Sequence, residues 1–153
     1  MKVTTAAEMK EAVLKAFPRT DIVVMAAAVS DFRFKEVRPE KTAKAGLAGP
    51  AVLEPTEDIL ALLGEKKKGQ LLVGFAAETR DMLENARGKM ARKKADLMVA
   101  NPVGGGQGFG ADETEVHIIR PDGKVRSMPR LSKREASRTI FDDIEALLEK
   151  KRR

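Results

Sequence analysis

Three apolar runs, each closed by small residues and separated from the next by helix-patterned chain, constrain this sequence more than any other feature. They are Asp21-Ile22-Val23-Val24-Met25-Ala26-Ala27-Ala28, Gln70-Leu71-Leu72-Val73-Gly74-Phe75-Ala76 and Asp96-Leu97-Met98-Val99-Ala100. After its first residue each run lacks the apolar-polar alternation of a half-exposed strand, so each is expected to be a strand covered on both faces. Strands of that kind belong to parallel sheets, whose crossover connections are helices.

The intervening segments carry helix signals. Thr5-Ala6-Ala7-Glu8 has capping-box spacing, and Met9, Ala12, Val13, Ala16 and Phe17 follow at helical intervals until Pro18, which predicts a helix over residues 5–17. Residues 51–54 read as a short strand, and Thr56 as the cap of a helix running to about Leu63, ended by Gly64. A third helix is expected from Thr79 to about Lys94, with Met82, Leu83, Ala86 and Met90 inward. The end of the chain changes character. Thr114 to Ile119 pairs with Lys124 to Met128 across Arg120-Pro121-Asp122-Gly123, an antiparallel hairpin at a sheet edge. Ser132 and Glu135 form a second capping-box spacing before a helix with Ile140, Phe141, Ile144, Leu147 and Leu148 on one face and a frayed basic tail from Lys150. Residues 33–50 are irregular and read as a flap. The expected architecture is α/β: a Rossmann-like, three-layer, mostly parallel sheet with helices on both faces and a C-terminal antiparallel hairpin.

With 153 residues the chain makes one domain. Cysteine is absent, which excludes disulfide scaffolds, thiolate metal sites and cysteine nucleophiles, and the single histidine, His117, excludes a multi-histidine metal site. No apolar stretch approaches the ~20 residues of a membrane span, and with no secretory h-region the expected compartment is cytoplasmic. A net charge of +6 favours an anionic partner, either phosphates in a pocket or nucleic acid along a face. Without Trp or Tyr, and with six Phe, the chain lacks stacking platforms for single strands, so nucleic acid is disfavoured.

In open α/β sheets ligands sit beyond the carboxyl ends of the strands. Here those ends read Ala26-Ala27-Ala28-Val29-Ser30-Asp31, Gly74-Phe75-Ala76-Ala77-Glu78-Thr79 and Ala100-Asn101-Pro102-Val103-Gly104-Gly105-Gly106. Small residues admit a ligand close to the backbone, although they equally serve helix packing; three such ends in one short chain favour a site. Thr56-Glu57-Asp58-Ile59 opens a helix whose free amides suit a phosphate, while its acids also complement the helix dipole. Lys89 and Lys93, four apart, project from one side of a helix and can meet two phosphates of one nucleotide, or can simply furnish a basic last turn. Arg33, Lys35, Arg38, Lys41 and Lys44 cluster in the flap, where they can close over a polyphosphate or remain solvated. His117, between Val116 and Ile118, suits a surface or cross-strand role. No Walker loop, Gly-x-Gly-x-x-Gly turn or Ser-His-Asp arrangement is present.

Taken together, the strand-end motifs resemble the phosphopantothenate-cysteine ligases, the synthetase half of bifunctional coenzyme A biosynthesis proteins in bacteria. The resemblance is carried by Met25 to Arg33, Pro39-Glu40-Lys41 with Lys44, Asp58-Ile59-Leu60, Val73 to Thr79, Lys89 through Asp96, Val99-Ala100-Asn101, and Gly108-Phe109 with Asp112, in order over almost the whole chain. It implies a CTP-dependent ligase. The phosphopantothenate carboxylate attacks the α-phosphate of CTP, pyrophosphate leaves, and the cysteine amine captures the acyl-cytidylate and expels CMP. It further implies nucleotide contacts at Ala27, Asp31, Lys41, Glu57, Asp58, Ile59, Leu60, Phe75, Lys89 and Lys93, with Lys41 as the catalytic flap lysine. No protein metal ligand is implied; Mg2+ is bound mainly by the triphosphate. A homodimer with the flap and hairpin as interface elements follows from the same resemblance.

Two segments depart from the family pattern: Lys41-Thr42-Ala43-Lys44 replaces Lys-Ile-Lys-Lys, and Thr56-Glu57 replaces Asn-Pro. Relative to the family, an N-terminal strand, a Gly-rich turn and an acyl-binding asparagine are expected ahead of the matched segment, with Met1 to Thr4 corresponding to an internal strand. The alternative reading is a non-catalytic nucleotide-binding module, or a fragment of the enzyme, that lacks the acyl-binding segment.

Overall fold

In the computed structural model, which describes residues 1–36, 50–103 and 112–152, two of the three apolar runs form the buried centre of a five-stranded sheet. The elements are α1 (Ala6–Ala16) with a 3-10 turn (Phe17–Arg19), β1 (Ile22–Met25), β2 (Phe32–Phe34), β3 (Leu53–Pro55), α2 (Ile59–Lys66), β4 (Leu71–Glu78), α3 (Met82–Arg92), β5 (Leu97–Pro102), β6 (Glu113–Ile119), β7 (Val125–Ser132) and α4 (Lys133–Arg152). The sheet order is β1-β4-β5-β6-β7, with β1, β4 and β5 parallel and β6 and β7 antiparallel. The expected three-layer architecture is present. Helix α4 packs Ala136, Ile140 and Ile144 on Leu71, Val73, Leu97, Val99, Val116 and Ile118. On the opposite face α2 meets Leu72, and α3 packs Ala86 and Met90 against Ala76, Met98 and Ala100.

Several expectations are corrected. β1 is shorter than its apolar run and lies at the sheet edge, so its faces are only partly covered: Ile22 packs on the α4 side and Val23 and Met25 on the other, all half-buried, while Val24 is 39% exposed, and Ala26 to Ala28 lie beyond the strand. Having one neighbour instead of two, β1 can bury only part of each side chain. Arg33 and Phe34 belong to a two-stranded antiparallel ladder, β2 with β3, which forms the arms of the flap; residues 37–49 lie outside the described residues. Met1 to Thr4 form no strand. Thr56 does not cap α2. Asp58 does, its Oδ1 accepting from the Ala61 amide, because it is nearer the first turn. Helix α3 begins three residues after Thr79, beyond Asp81 at φ 46°.

Helix α4 presents Ile140, Ile144, Leu147 and Leu148 inward, whereas Phe141 is 59% exposed, rotated about 100° from Ile140. Lys151 of the basic tail is not frayed but held: its Nζ lies 3.2 Å from Asp96 Oδ1. Both capping boxes form, Thr5 with Glu8 and Ser132 with Glu135. His117 makes the cross-strand contact expected of it, 2.9 Å to Ser127.

Gly64 does not end α2 but lies inside it, where any Cβ would collide with the carbonyl oxygen of Lys93 at the end of α3. Alanine is the better helix former by about 1 kcal/mol, but overpacking costs about 1–3 kcal/mol. Gly64→Ala is therefore expected to lower Tm by a few degrees, where propensity alone predicts a rise; thermal denaturation checks the sign.

Asp96, at the amino end of β5, is half-buried. Burial opposes its ionisation, but the Leu72 amide at 2.8 Å and the ammonium groups of Lys67 and Lys151 outweigh it and hold its carboxyl below the usual aspartate value. A lowered folded pKa gives stability that is complete above the unfolded value of about 3.9 and is lost as pH falls through the folded value. Denaturant titrations below pH 5 are expected to show a shallower acid loss for Asp96→Asn than for the parent chain.

Candidate functional site

Register opens a notch at the carboxyl edge of the sheet. β1 stays paired with β4 only as far as Met25 opposite Gly74, whereas β4 continues beside β5 to Glu78 opposite Pro102. The last turn of β4, Phe75 to Glu78, therefore has no β1 neighbour. The chain leaving β1 folds back over this gap: Val29 donates to the Ala27 carbonyl at 3.1 Å, and Thr56 donates to the Asp31 carbonyl at 2.8 Å, which ties the β1–β2 loop to the entry of α2. Close packing beneath is set by Gly74, where a Cβ would stand 2.6 Å from Leu60 Cδ2.

The resulting cavity has a volume of about 330 Å³, lined by Met25, Ala27 to Asp31, Thr56 to Leu60, Phe75, Ala77, Lys89 and Lys93. It brings together Ala27, Asp31, Glu57, Asp58, Ile59, Leu60, Phe75, Lys89 and Lys93, every expected site residue that the structure describes. Lys41 and Lys44 lie outside the described residues, as do Gly108 and Phe109. Ala28, Val29, Ser30, Thr56 and Ala77 also line it; they belong to the strand-end and helix-opening segments that the sequence offers for a ligand, without being assigned contacts individually, and Met25 joins them from the end of β1.

Each lysine in the cavity faces a carboxylate. Lys93 Nζ lies 3.1 Å from Asp58 Oδ2, and Lys89 Nζ lies 2.6 Å from Glu78 Oε1. At the outer rim Lys10 pairs with Glu57 at 2.7 Å. Both oxygens of Asp58 are thus engaged, one capping α2 and one on Lys93. Only the Ala61 amide is taken by the cap, which leaves the first-turn amides of Ile59 and Leu60 outside the helical ladder and beside the cavity. Phe75, 37% exposed, supplies an apolar floor.

A site with two ammonium groups, free helix-start amides, an aromatic floor and a small-residue rim has the parts that hold a phosphorylated planar ligand. Its lining charges are two lysines against Asp31, Glu57 and Asp58, so a polyphosphate would enter with a compensating cation. Among the described residues no three of His, Asp and Glu converge as metal ligands. A larger cleft of about 910 Å³ lies between the start of α1 and the β2–β3 arm and shares Ala27 to Ser30 with the site.

Comparisons with known proteins bear on the family and the fold. The family model for the DNA/pantothenate metabolism flavoprotein C-terminal domain matches residues 1–148. The coenzyme A biosynthesis bifunctional protein CoaBC of Bacillus subtilis (strain 168) is 49% identical over 146 residues, covering 95% of this chain and 36% of the relative. A crystal structure of the C-terminal domain of a CoaBC protein matches with TM-score 0.79 and 37% identity over 98% of this chain and 66% of that chain. A Cab2 mutant solved in complex with phosphopantothenate-cysteine matches with TM-score 0.73 at 20% identity, over 99% of this chain and 53% of that chain, a likeness of fold. The chain spans about a third of the length of its B. subtilis relative. It belongs to the DNA/pantothenate metabolism flavoprotein C-terminal domain family.

Proposed function

We propose that this chain is the nucleotide-binding core of a CTP-dependent ligase that joins 4'-phosphopantothenate to cysteine through an acyl-cytidylate in coenzyme A biosynthesis. The observation that supports this reading is the convergence, in one cavity, of every described residue that the resemblance assigns to nucleotide contact. A carboxylate oxygen of the acid attacks the α-phosphorus as the bond to pyrophosphate breaks. The cysteine amine then attacks the acyl carbon, loses a proton and displaces CMP. Lys89 and Lys93 would take up charge on the phosphates, Phe75 would carry the base or sugar, Asp31 would orient polar groups, and Lys41 would add a charge from the flap. The excess of carboxylates in the lining supports Mg2+ arriving on the triphosphate.

The reaction is tested by incubating the chain with CTP, Mg2+ and phosphopantothenate and assaying pyrophosphate, then adding cysteine and assaying CMP. Pyrophosphate released only with the acid, and CMP released only after cysteine, are the expected results. CTP binding without pyrophosphate release would assign the non-catalytic module instead.

A second copy of the chain is the proposed protein partner, in a cytoplasmic setting. No helix among the described residues is long and apolar enough to cross a membrane. One face of the β2–β3 arm presents Phe32, Phe34 and Leu53, each more than half exposed, while Arg33 and Glu54 pair at 2.7 Å on the other face. An apolar strand face of this kind is suited to burial against a partner. Light scattering is expected to give the mass of two chains, and Phe34→Ser to shift it towards one.

A further inference from the structure

Glu78 ends β4 beside the cavity without lining it. Its side chain is 11% exposed, and its Oε1 is buried with no directed hydrogen-bond donor. The close neighbour of that oxygen is Lys89 Nζ at 2.6 Å, an ion pair that is the one contact this oxygen makes. The other oxygen, Oε2, accepts from Asn85 Nδ2 at 3.4 Å, and the same amide donates to the Arg80 carbonyl at 3.0 Å. Asn85 and Lys89 are four apart on α3 and so share one side of it. The carboxylate is thereby held from the strand end and from the preceding turn of the helix that carries the lysine.

We propose that Glu78, steadied by Asn85, is a positioning residue that fixes the Lys89 ammonium over the cavity for a ligand's phosphate groups. A lysine stem has four rotatable carbons, and an unrestrained ammonium at the rim spreads over many positions. A nearly buried carboxylate that engages one side of the ammonium leaves its remaining N–H groups to donate to phosphate. Glu78 has no comparable access to the ligand and acts through Lys89. The inference rests on the nucleotide reading of the cavity, and it reverses the sign that charge alone would give. Removing a carboxylate near a polyphosphate should tighten binding by relieving repulsion, whereas loss of positioning should weaken it.

The test is calorimetric titration of the chain and of Glu78→Gln, Lys89→Met and the double variant with CTP–Mg2+, with inorganic tripolyphosphate and with cytidine. Circular dichroism and Tm establish that each variant folds, and Asn85→Ala serves as a milder second probe if Glu78→Gln does not. Glu78→Gln is expected to weaken CTP–Mg2+ and tripolyphosphate about tenfold, to leave cytidine unchanged, and to add nothing in the Lys89→Met background. Unchanged or tighter phosphate binding in Glu78→Gln, or an equal loss with and without Lys89, overturns the proposal while the nucleotide reading stands. Tripolyphosphate binding with the expected variant pattern but no binding of CTP overturns the nucleotide reading and keeps the proposal. Failure of the parent chain to bind either phosphate ligand overturns both.

Discussion

Lys93→Met is expected to weaken CTP–Mg2+ binding by about 10- to 100-fold, the range set by a charge-assisted hydrogen bond worth about 1.5–3 kcal/mol. Methionine keeps the length and apolar stem of the lysine, so the packing of α3 against α2 is retained while the charge is lost. The fold should tolerate the change, because Asp58, relieved of its partner at 3.1 Å, is 43% exposed and still caps α2. The freed carboxylate adds repulsion towards phosphate, which pushes the effect towards the upper end. Calorimetry with CTP and with cytidine separates the outcomes: the loss should fall on the phosphorylated ligand. An equal loss for cytidine would mean that the substitution had deformed the cavity.

The largest expected effect on stability lies far from the site. Asp143 of α4 is 2% exposed and is gripped by Arg120 Nη2 at the β6–β7 turn and, at 3.2 Å, by Arg126 Nη1 on β7. This clip joins the final helix to the hairpin beside the apolar contacts of Ile140 and Ile144. Removing one partner of a buried pair costs about 3–5 kcal/mol when the survivors stay buried. Here the two guanidinium groups are 34% and 47% exposed and can turn to water, so about 2–3 kcal/mol is expected for Asp143→Ala, a fall in Tm of about 5–10 °C. Arg126→Ala alone should cost less, since Arg120 still neutralises the carboxylate. Thermal melts of the two variants decide it, and an equal, small effect of both would show that the clip contributes little.

The parts of the fold legible in the sequence are those where local chemistry and tertiary environment ask for the same residues. β4 and β5 are apolar in sequence and buried on both faces, because each has a strand on either side and helices above and below. Thr5 with Glu8 and Ser132 with Glu135 cap helices because both halves of the box are local. β1 reads the same as β4 yet lies at an edge, since composition does not encode how many neighbours a strand has. Gly64 reads as a helix end, but what it answers is the backbone of another helix. Asp143 carries no signal of its burial in the sequence, because its partners are on the hairpin more than fifteen residues earlier.

The site divides in the same way. Its residue types stand at the ends of apolar runs and are visible there, since a parallel sheet brings successive strand ends to one edge. The pairing of Lys89 with Glu78 and of Lys93 with Asp58 is not visible, because in sequence these are a strand-end acid, a helix-start acid and a basic helix turn, and only the packing of α2 and α3 on the sheet brings them within 2.6 Å and 3.1 Å.

The account stands most directly on one titration: the purified chain with CTP and Mg2+ in a calorimeter, with ATP and Mg2+ in parallel. Saturable one-site binding selective for CTP, lost on Lys93→Met, is the predicted result. A folded chain that binds neither nucleotide, or that binds ATP as well as CTP, would contradict it.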